Sequence, residues 1–229
     1  MISDEFNLSN YMYLSKISRY REIYERSVKP VEAQLTEVER EIDAYNLRVK
    51  CGHRETPLTS GEASSIILFP EEEKLHHHKG ACIDVIENIN KNTIVNIYHF
   101  WERYWFDIII GKELSGDKER KIKYSDFQNY NSLKKIISKH YEIDEKIEKI
   151  KNIANSLKHG NRRNIRALLK AYPDLFERKD DFFISCFGAD AISIKRADIE
   201  EAFEILSNSG PQKPLIPTVI ETDLYEPTF

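Results

Sequence analysis

The stretch from Ile94 to Ile110 constrains the fold of this chain more than any other part of its sequence: IVNIYHFWERYWFDIII. Aliphatic or aromatic residues occupy almost every side of a helix built on it, and such a helix belongs in the middle of a bundle rather than on its surface. Its polar residues follow a three-four-four spacing and form one narrow stripe: Asn96, His99, Arg103 and Asp107. Glu102 lies off that stripe. We therefore predict a buried central helix, extending from about Ile83 to Ile110, with other helices packed around it.

The composition favours helices and excludes a uniformly basic nucleic-acid binder. The 229 residues are enough for one sizeable domain with an appendage, or for two small domains. With 8 Gly, 8 Pro and many Lys, Glu, Ile and Asn, the chain is suited to helical structure. The net charge is -4, but residues 146–170 are basic on balance and residues 198–229 are acidic. A local basic surface can bind phosphate even when the total charge is slightly negative.

Neither a cofactor nor a membrane segment is predicted. The cysteines Cys51, Cys82 and Cys186 are single, widely spaced and odd in number, which favours neither a disulfide framework nor a zinc site. The first residues lack the basic-then-apolar order of a signal peptide. The longest apolar run is interrupted by too many polar residues for a membrane span. We therefore expect a cytoplasmic protein without a bound cofactor.

The three adjacent histidines, His76 to His78, do not predict a metal site. Neighbouring side chains on a helix point about 100° apart, so these three cannot chelate one ion together. A solvated polar turn is the preferred interpretation.

Residues 1–50 are predicted to form an N-terminal helical arm, divided at Pro30. After Pro30, apolar residues recur at helical spacing: Val31, Leu35, Val38, Ile42 and Tyr45. This stripe needs a partner, either the main bundle or a second copy of the protein. Residues 51–70 are predicted to be a loop because they are rich in Gly, Pro, Ser and Thr. The acidic residues that follow Pro70 suit the start of a helix.

Residues 71–172 are predicted to form the main antiparallel helical bundle. After the central helix, we expect a second helix over residues 126–140. A third begins at about Ile143 and ends at Gly160, since glycine is common just past the end of a helix. A short helix over residues 164–171 completes this part.

The remaining residues, 173–229, are predicted to form a small α+β extension. The segments DFFISCFG, from Asp181, and AISIK, from Ala191, are rich in β-branched and aromatic residues, which favours a β-hairpin. A last helix is expected over residues 199–206. The predicted fold class is therefore mainly α: an antiparallel helical bundle with an N-terminal helical arm and a small C-terminal β-hairpin plus helix.

One face of the helix that ends at Gly160 carries candidate chemistry. Opposite its apolar side, polar residues recur at a four-three-four spacing: Glu148, Asn152, Asn155 and His159. They are flanked by Lys151, Lys158 and Arg162. A histidine among amide and basic side chains is suited to proton transfer near a phosphate. The alternative is a solvated face, on which His159 is simply favourable at the negative end of the helix dipole.

The segment IANSLKHGNRR, from Ile153 to Arg163, resembles the motif of HEPN domains, the higher eukaryotes and prokaryotes nucleotide-binding family. That motif is an Arg, four to six residues and then a His, usually with an Asn directly after the Arg. Asn155 and His159 match its Asn and His positions. The aromatic, acid-bearing sequence HFWERYW also looks like the first long helix of such domains. The resemblance covers roughly residues 71–171.

The resemblance implies a helical bundle that dimerises and brings two copies of the motif to one cleft. Many HEPN proteins are metal-independent ribonucleases of toxin–antitoxin or anti-phage systems. In that chemistry a 2′-hydroxyl attacks the adjacent phosphate, a His transfers a proton and an Arg stabilises the negative phosphorane-like state. By resemblance we expect a homodimer, RNA as the target, and an antitoxin or another protein as a partner. His159 is then the acid or base, and Asn155 orients the substrate.

The chain departs from the motif where the Arg should stand. The permitted positions are occupied by Asn152, Ile153 and Ala154, none of which is charged. One explanation is an inactive interaction module that binds a protein or nucleotide partner. The other is that a different cation substitutes, and the candidates are Arg162, Arg163, Lys158 and Arg103. For Arg103 an ion pair with Asp107, one turn later on the same helix, is the competing interpretation.

Overall fold

The structure, a computed structural model, describes residues 8–52, 71–111, 130–138 and 141–211, with the side chains of the second range described as far as Ile108. Within these ranges the chain forms seven α-helices: α1 (Leu8–Lys50), α2 (Glu71–Gly111), α3 (Tyr130–Ile137), α4 (Ile147–His159), α5 (Arg162–Ala171), α6 (Asp181–Phe187) and α7 (Arg196–Asn208). The mainly α prediction is confirmed. The loop predicted at residues 51–70 falls almost entirely outside the described residues.

The two long helices α1 and α2 lie side by side in opposite directions. At one end, Arg48 of α1 pairs with Glu71 of α2 at 2.5 Å. At the other end, the Tyr104 hydroxyl of α2 donates to the Ser9 carbonyl of α1 at 2.6 Å. The helices are therefore in contact along nearly their whole length, and the arm is one side of an antiparallel helical pair.

The predicted division of the arm at Pro30 is wrong, because α1 continues through it. Proline inside a helix removes one hydrogen bond and costs about 3 kcal/mol. Pro30 lies on the exposed side of α1. Tyr24 before it and Val38 after it are both buried. Packing on either side of the proline therefore keeps the helix continuous.

The apolar stripe of the arm finds its partner within the same chain. Val38 and Tyr45 are buried, and Leu35 and Ile42 are half-buried, where α1 packs along α2. Of the two partners that the sequence left open, the structure provides the main bundle. This stripe is therefore not available as a surface for a second copy.

The central position of α2 is confirmed. Among the described residues, the two largest fully buried side chains, Trp101 and Trp105, both belong to α2, and Ile94, Ile97 and Tyr98 are fully buried beside them on the same helix. The polar residue Asn90 can be buried with them because both its side-chain oxygen and its side-chain nitrogen form hydrogen bonds. It accepts from the Tyr24 hydroxyl at 3.0 Å and donates to the Ile194 carbonyl at 2.8 Å. A single hydrophobic core thus joins α1, α2 and the segment before α7.

Ser209, just after α7, fixes the direction of α4 relative to α2. Its carbonyl accepts from the indole nitrogens of Trp101 and Trp105, at 3.0 and 2.9 Å. Its hydroxyl accepts from the backbone of Asp144, shortly before α4, at 3.2 Å. Lys149, further along α4, pairs with Glu201 of α7 at 2.6 Å. Because α4 starts beside the two tryptophans and runs back along α7, it is antiparallel to both α7 and α2.

The predicted C-terminal β-hairpin is wrong. Residues 181–187 form the helix α6 instead, and the described residues contain no β-strand, only one isolated bridge between Phe176 and Ile192. The helix wins locally because both of its ends are capped. The Asp180 carboxylate accepts from the Phe183 amide at 2.8 Å, and Gly188 adopts the positive φ of +54° that ends the helix. The aromatic composition that favoured a strand is also compatible with a short helix that rests on one buried residue.

Candidate functional site

The turn between α4 and α5 places the predicted motif at a helix junction. Gly160 has a φ of +57°, and its amide donates to the Ser156 carbonyl at 3.0 Å, which ends α4 as predicted. The Asn161 side chain then accepts from the Arg163 amide at 2.9 Å and caps the start of α5. His159 is thus the last residue of α4, and Arg162 and Arg163 open α5 immediately afterwards.

The two helices present a continuous exposed surface of positive charge, which we call the basic ridge: Lys158, His159, Arg162, Arg163, Arg166 and Lys170. No acidic residue occurs between residues 158 and 170. Ile165 and Leu168, on the other side of α5, are buried. The ridge is therefore basic because α5 buries its apolar face and turns its cationic face to solvent.

Most of the ridge is free of neutralising partners. Arg166 pairs with Asp181 at 3.1 Å and Arg162 approaches the Ser185 carbonyl at 3.4 Å. Within the described ranges, neither Lys158 nor Arg163 forms an ion pair through its side chain. Exposed cations without partners keep their charge available for an anionic ligand.

His159 and Asn155 lie one turn apart on the same side of α4, as the sequence predicted. The His159 ring is exposed and Asn155 is half-buried. An imidazole ring can accept or release a proton, which is the chemistry that general acid–base catalysis needs. Arg162 and Arg163 follow His159 within four residues, across the Gly160 turn.

Arg103 lies at the opposite end of the bundle from His159. It is exposed on α2 between Trp101 and Trp105, the residues beside which α4 begins. His159 ends α4, and a helix of 13 residues is roughly 18 Å long. The structure therefore does not bring these two side chains together in one chain. In the described part of the protein Arg103 forms no ion pair with Asp107 either.

A second group of ionisable side chains, which we call the polar cluster, lies between α2, α3 and α4: Tyr98, His99, Glu102, Tyr130, Glu148 and Lys151. Glu102 joins its α2 members. It accepts from the Tyr98 hydroxyl at 2.7 Å and lies 3.0 Å from the His99 Nδ1. Sequence reasoning missed this role because Glu102 lies off the polar stripe. The spacing in the sequence could have predicted these contacts. Tyr98 and His99 precede Glu102 by four and three residues, and side chains at these separations are neighbours on a helix.

The other half of the polar cluster surrounds Tyr130. The Lys151 ammonium lies 4.1 Å from the centre of the Tyr130 ring and donates to Glu148 at 3.0 Å. Burial raises the pKa of Tyr130, and the nearby Glu148 carboxylate raises it further. Burial and then Glu102 likewise raise the pKa of Tyr98. Both phenols therefore remain protonated, and Tyr98 donates its proton to Glu102. Glu148 and Lys151 of the predicted face are engaged here rather than at the basic ridge.

Two buried polar atoms of the polar cluster lack a hydrogen-bonding partner among the described residues, the His99 Nε2 and the Tyr130 hydroxyl oxygen. Its charges are otherwise matched in sign and held by packing, as expected of a structural network. His99 is held at its Nδ1 by Glu102, and 35% of its side-chain surface is exposed.

The described residues provide no metal centre. No group of three or more His, Cys, Asp or Glu side chains within them could hold a metal ion. His76, His77 and His78 are all exposed on the first part of α2. The same residues include no helix long and apolar enough to cross a membrane.

The chain matches no protein-family model, no curated protein and no solved structure. The basic ridge, with an exposed histidine and few neutralising partners, is the part of the described surface best suited to bind and act on an anion.

Proposed function

We propose that this chain is a HEPN-like RNA-targeting protein that works as a metal-independent endoribonuclease in a toxin–antitoxin or anti-phage defence system. The observation that carries the proposal is the basic ridge, which surrounds His159 with exposed cations. RNA offers a regular series of phosphates, and each Lys or Arg that neutralises one releases a bound counterion. The resemblance of Asn155 and His159 to the HEPN motif supplies the reaction type.

In the proposed reaction the RNA supplies its own nucleophile. His159 removes the proton of a 2′-hydroxyl, and that oxygen forms a bond to the adjacent phosphorus. The bond from phosphorus to the 5′ oxygen breaks, and this oxygen takes up a proton as it leaves. The products are a 2′,3′-cyclic phosphate and a 5′-hydroxyl, and no metal is required. Arg162 or Arg163 stabilises the extra negative charge on the phosphorane-like state, and Asn155 orients the strand.

A homodimer is part of the proposal because one exposed histidine supplies one proton-transfer group. If two copies face each other across the bound strand, His159 of one copy acts as the base. His159 of the other then protonates the leaving oxygen. The negative phosphates between the two copies offset the repulsion between their positive ridges.

A second candidate function is a non-catalytic module that binds an antitoxin, another protein or a nucleotide. One observation favours it. Ile153 and Ala154, which stand where the motif Arg is permitted, are both completely buried. Neither position can present a side chain to a substrate, so the catalytic version of the proposal takes its guanidinium from Arg162 or Arg163 of α5. In this alternative the basic ridge binds its partner and His159 has no chemical role.

The test is cleavage of RNA by the purified protein in the presence of a metal chelator. Wild type should release fragments that end in a 2′,3′-cyclic phosphate, and His159→Ala should lose roughly 10²–10⁴-fold in rate. His77→Ala is the matched control, because it removes an exposed histidine from a distant part of α2 and should leave the rate unchanged. RNA that stays intact with wild type, although it is bound, would favour the non-catalytic module.

A further inference from the structure

Two phenylalanines on α6 are exposed to a degree that the core does not explain. Phe182 is 77% exposed and Phe187 is 52% exposed. In this helix, which the structure describes in full, Ile184 is the only buried side chain. Phe183 is half-buried, and its ring centre lies 4.4 Å from that of Phe187. We call the three rings the aromatic face: Phe183 and Phe187 are in contact, and Phe182 lies about 100° around the helix from Phe183. Phe182 and Phe187 remain on the surface although burial of a phenylalanine is favourable by about 1.5–3 kcal/mol.

The helix α6, which carries the aromatic face, lies directly beside the basic ridge. Arg166 of the ridge pairs with Asp181 at the start of α6, at 3.1 Å. Arg162 reaches the Ser185 carbonyl near its end, at 3.4 Å. α6 is therefore placed along the arginine edge of α5, from its first residue to its last turn.

A further cation borders the rings from the other side. The Arg178 guanidinium lies 4.7 Å from the centre of the Phe183 ring. Its charge is partly matched by Asp180 at 3.2 Å. Guanidinium groups therefore lie on two sides of α6, with Arg162 and Arg166 along the side of Asp181 and Ser185 and Arg178 at the Phe183 ring. The helix thus combines exposed rings with positive charge on both of its sides.

We propose that the aromatic face stacks unpaired bases of an RNA strand whose phosphates lie on the basic ridge. The substrate class is then single-stranded RNA. This inference rests on the proposed function and deepens it. Every base has a flat π surface that an aromatic side chain can stack on, and stacking combined with a cationic track is how single strands are bound with little dependence on sequence. In a duplex these surfaces are occupied by neighbouring base pairs, so a double helix cannot use the rings.

The cations favour a nucleic-acid strand over an apolar protein helix as the occupant. Under an apolar partner, Arg166 and Arg178 would lose hydration without gaining a counter-charge beyond the carboxylates they already meet. A phosphate strand brings negative charge to the same place as the bases. An unpaired strand can therefore place its phosphates at the cations and its bases on the rings at the same time.

Binding of short labelled RNAs in the presence of a metal chelator, with His159→Ala as the background to prevent cleavage, tests the inference. Three probes are compared: a single strand, the same strand without its bases, and the corresponding duplex. The single strand should bind best. Adding Phe182→Ala and Phe187→Ala should weaken its binding by roughly tenfold or more and leave the abasic strand unaffected. Phe182→Trp should retain the preference, and Ile23→Ala, which removes an exposed apolar residue from α1, should change nothing.

Different failures have different meanings. If the protein binds RNA but the two phenylalanine changes leave single-strand binding unaltered, the stacking inference is overturned and the proposed function stands. If the protein binds none of the probes, the proposed function fails and the inference fails with it. If the phenylalanine changes alter the oligomeric state in light scattering and not RNA binding, the aromatic face joins copies of this chain, which also overturns the inference.

Discussion

The basic ridge and the polar cluster both use ionisable residues of α4, yet they differ in how those residues are paired. In the polar cluster, Lys151 meets Glu148 and the Tyr130 ring, and Glu102 meets two partners on α2. On the basic ridge, Lys158 and His159 point to solvent. The comparison teaches that the position of a charged residue relative to its neighbours, and not its type, decides whether its charge is neutralised within the fold or stays open to a ligand.

The difference has opposite energetic consequences in the two regions. Removing one member of a buried hydrogen-bonded group leaves its partners unsatisfied, which costs about 1–3 kcal/mol for each such group. Removing an exposed cation changes stability by less than about 0.5 kcal/mol but takes away a contact for an anionic ligand. Substitutions in the interior should therefore change unfolding, and substitutions on the basic ridge should change binding.

The largest expected effect tests the interior. Trp101 is completely buried, its ring centre lies 6.0 Å from that of Tyr98, and its indole donates to Ser209 at 3.0 Å. Trp101→Ala should lower the free energy of unfolding by about 3–5 kcal/mol, as measured by denaturant titration. Trp101→Phe should cost much less, because it keeps most of the ring and because Trp105 still donates to the same carbonyl. Equal losses in the two variants would mean that the hydrogen bond, and not the packed volume, stabilises this part of the core.

The next effect tests the ridge. Replacing Lys158, Arg163 and Lys170 together by Gln should leave the unfolding free energy within about 0.5 kcal/mol of wild type. RNA affinity should fall roughly tenfold to a hundredfold at low salt. The slope of log affinity against log salt should become shallower by about 2, since each phosphate contact to a single strand contributes about 0.7. As a control, Lys29, Lys50 and Lys135, which are exposed elsewhere, should be replaceable by Gln with little change in slope. An equal change in both triple variants would show that total charge, and not the ridge, governs binding.

Much of the helical framework could be predicted from the sequence because its signals are long or chemically specific. The Ile94–Ile110 stretch is apolar on nearly all sides, and only a central position satisfies it. Gly160 marks the end of α4 because a residue without a Cβ adopts positive φ readily. The hairpin over residues 181–195 was wrong because a segment this short has too few residues to separate a two-residue from a 3.6-residue period. The segment forms a helix because Asp180 caps its first turn, and an argument from amino-acid composition takes no account of such a cap.

The candidate site was predictable only in the part that is local in sequence. His159, Arg162 and Arg163 are neighbours across one turn, so their proximity follows from the chain itself. Arg103 was considered with them because it is a cation on a mostly apolar helix, but the antiparallel course of α4 places it at the other end of the bundle. The partners of Lys151 and Glu148 depend on Tyr130, which comes from a different helix. Contacts of this kind are fixed by tertiary packing, and helical spacing carries no information about them.

The smallest expected effect is on the free energy of unfolding at alkaline pH. It tests the polar cluster alone, because the substitution is at the buried Tyr98 and leaves the basic ridge unchanged. Burial, and then Glu102, hold the pKa of Tyr98 above the ordinary tyrosine value of 10.0. A tyrosine whose folded pKa is raised contributes stability that is fully present below pH 10 and is lost as the pH rises through the folded value, because the unfolded chain releases its proton first. Between pH 9 and pH 10.5, the free energy of unfolding of Tyr98→Phe should therefore fall by about 1 kcal/mol less than that of wild type.

At neutral pH the free energy of unfolding of the variant should be lower than that of wild type by about 1 kcal/mol, since Glu102 loses one donor. Chemical denaturation across this pH range measures both quantities, and parallel curves for the two proteins would mean that Tyr98 ionises equally well in the folded state.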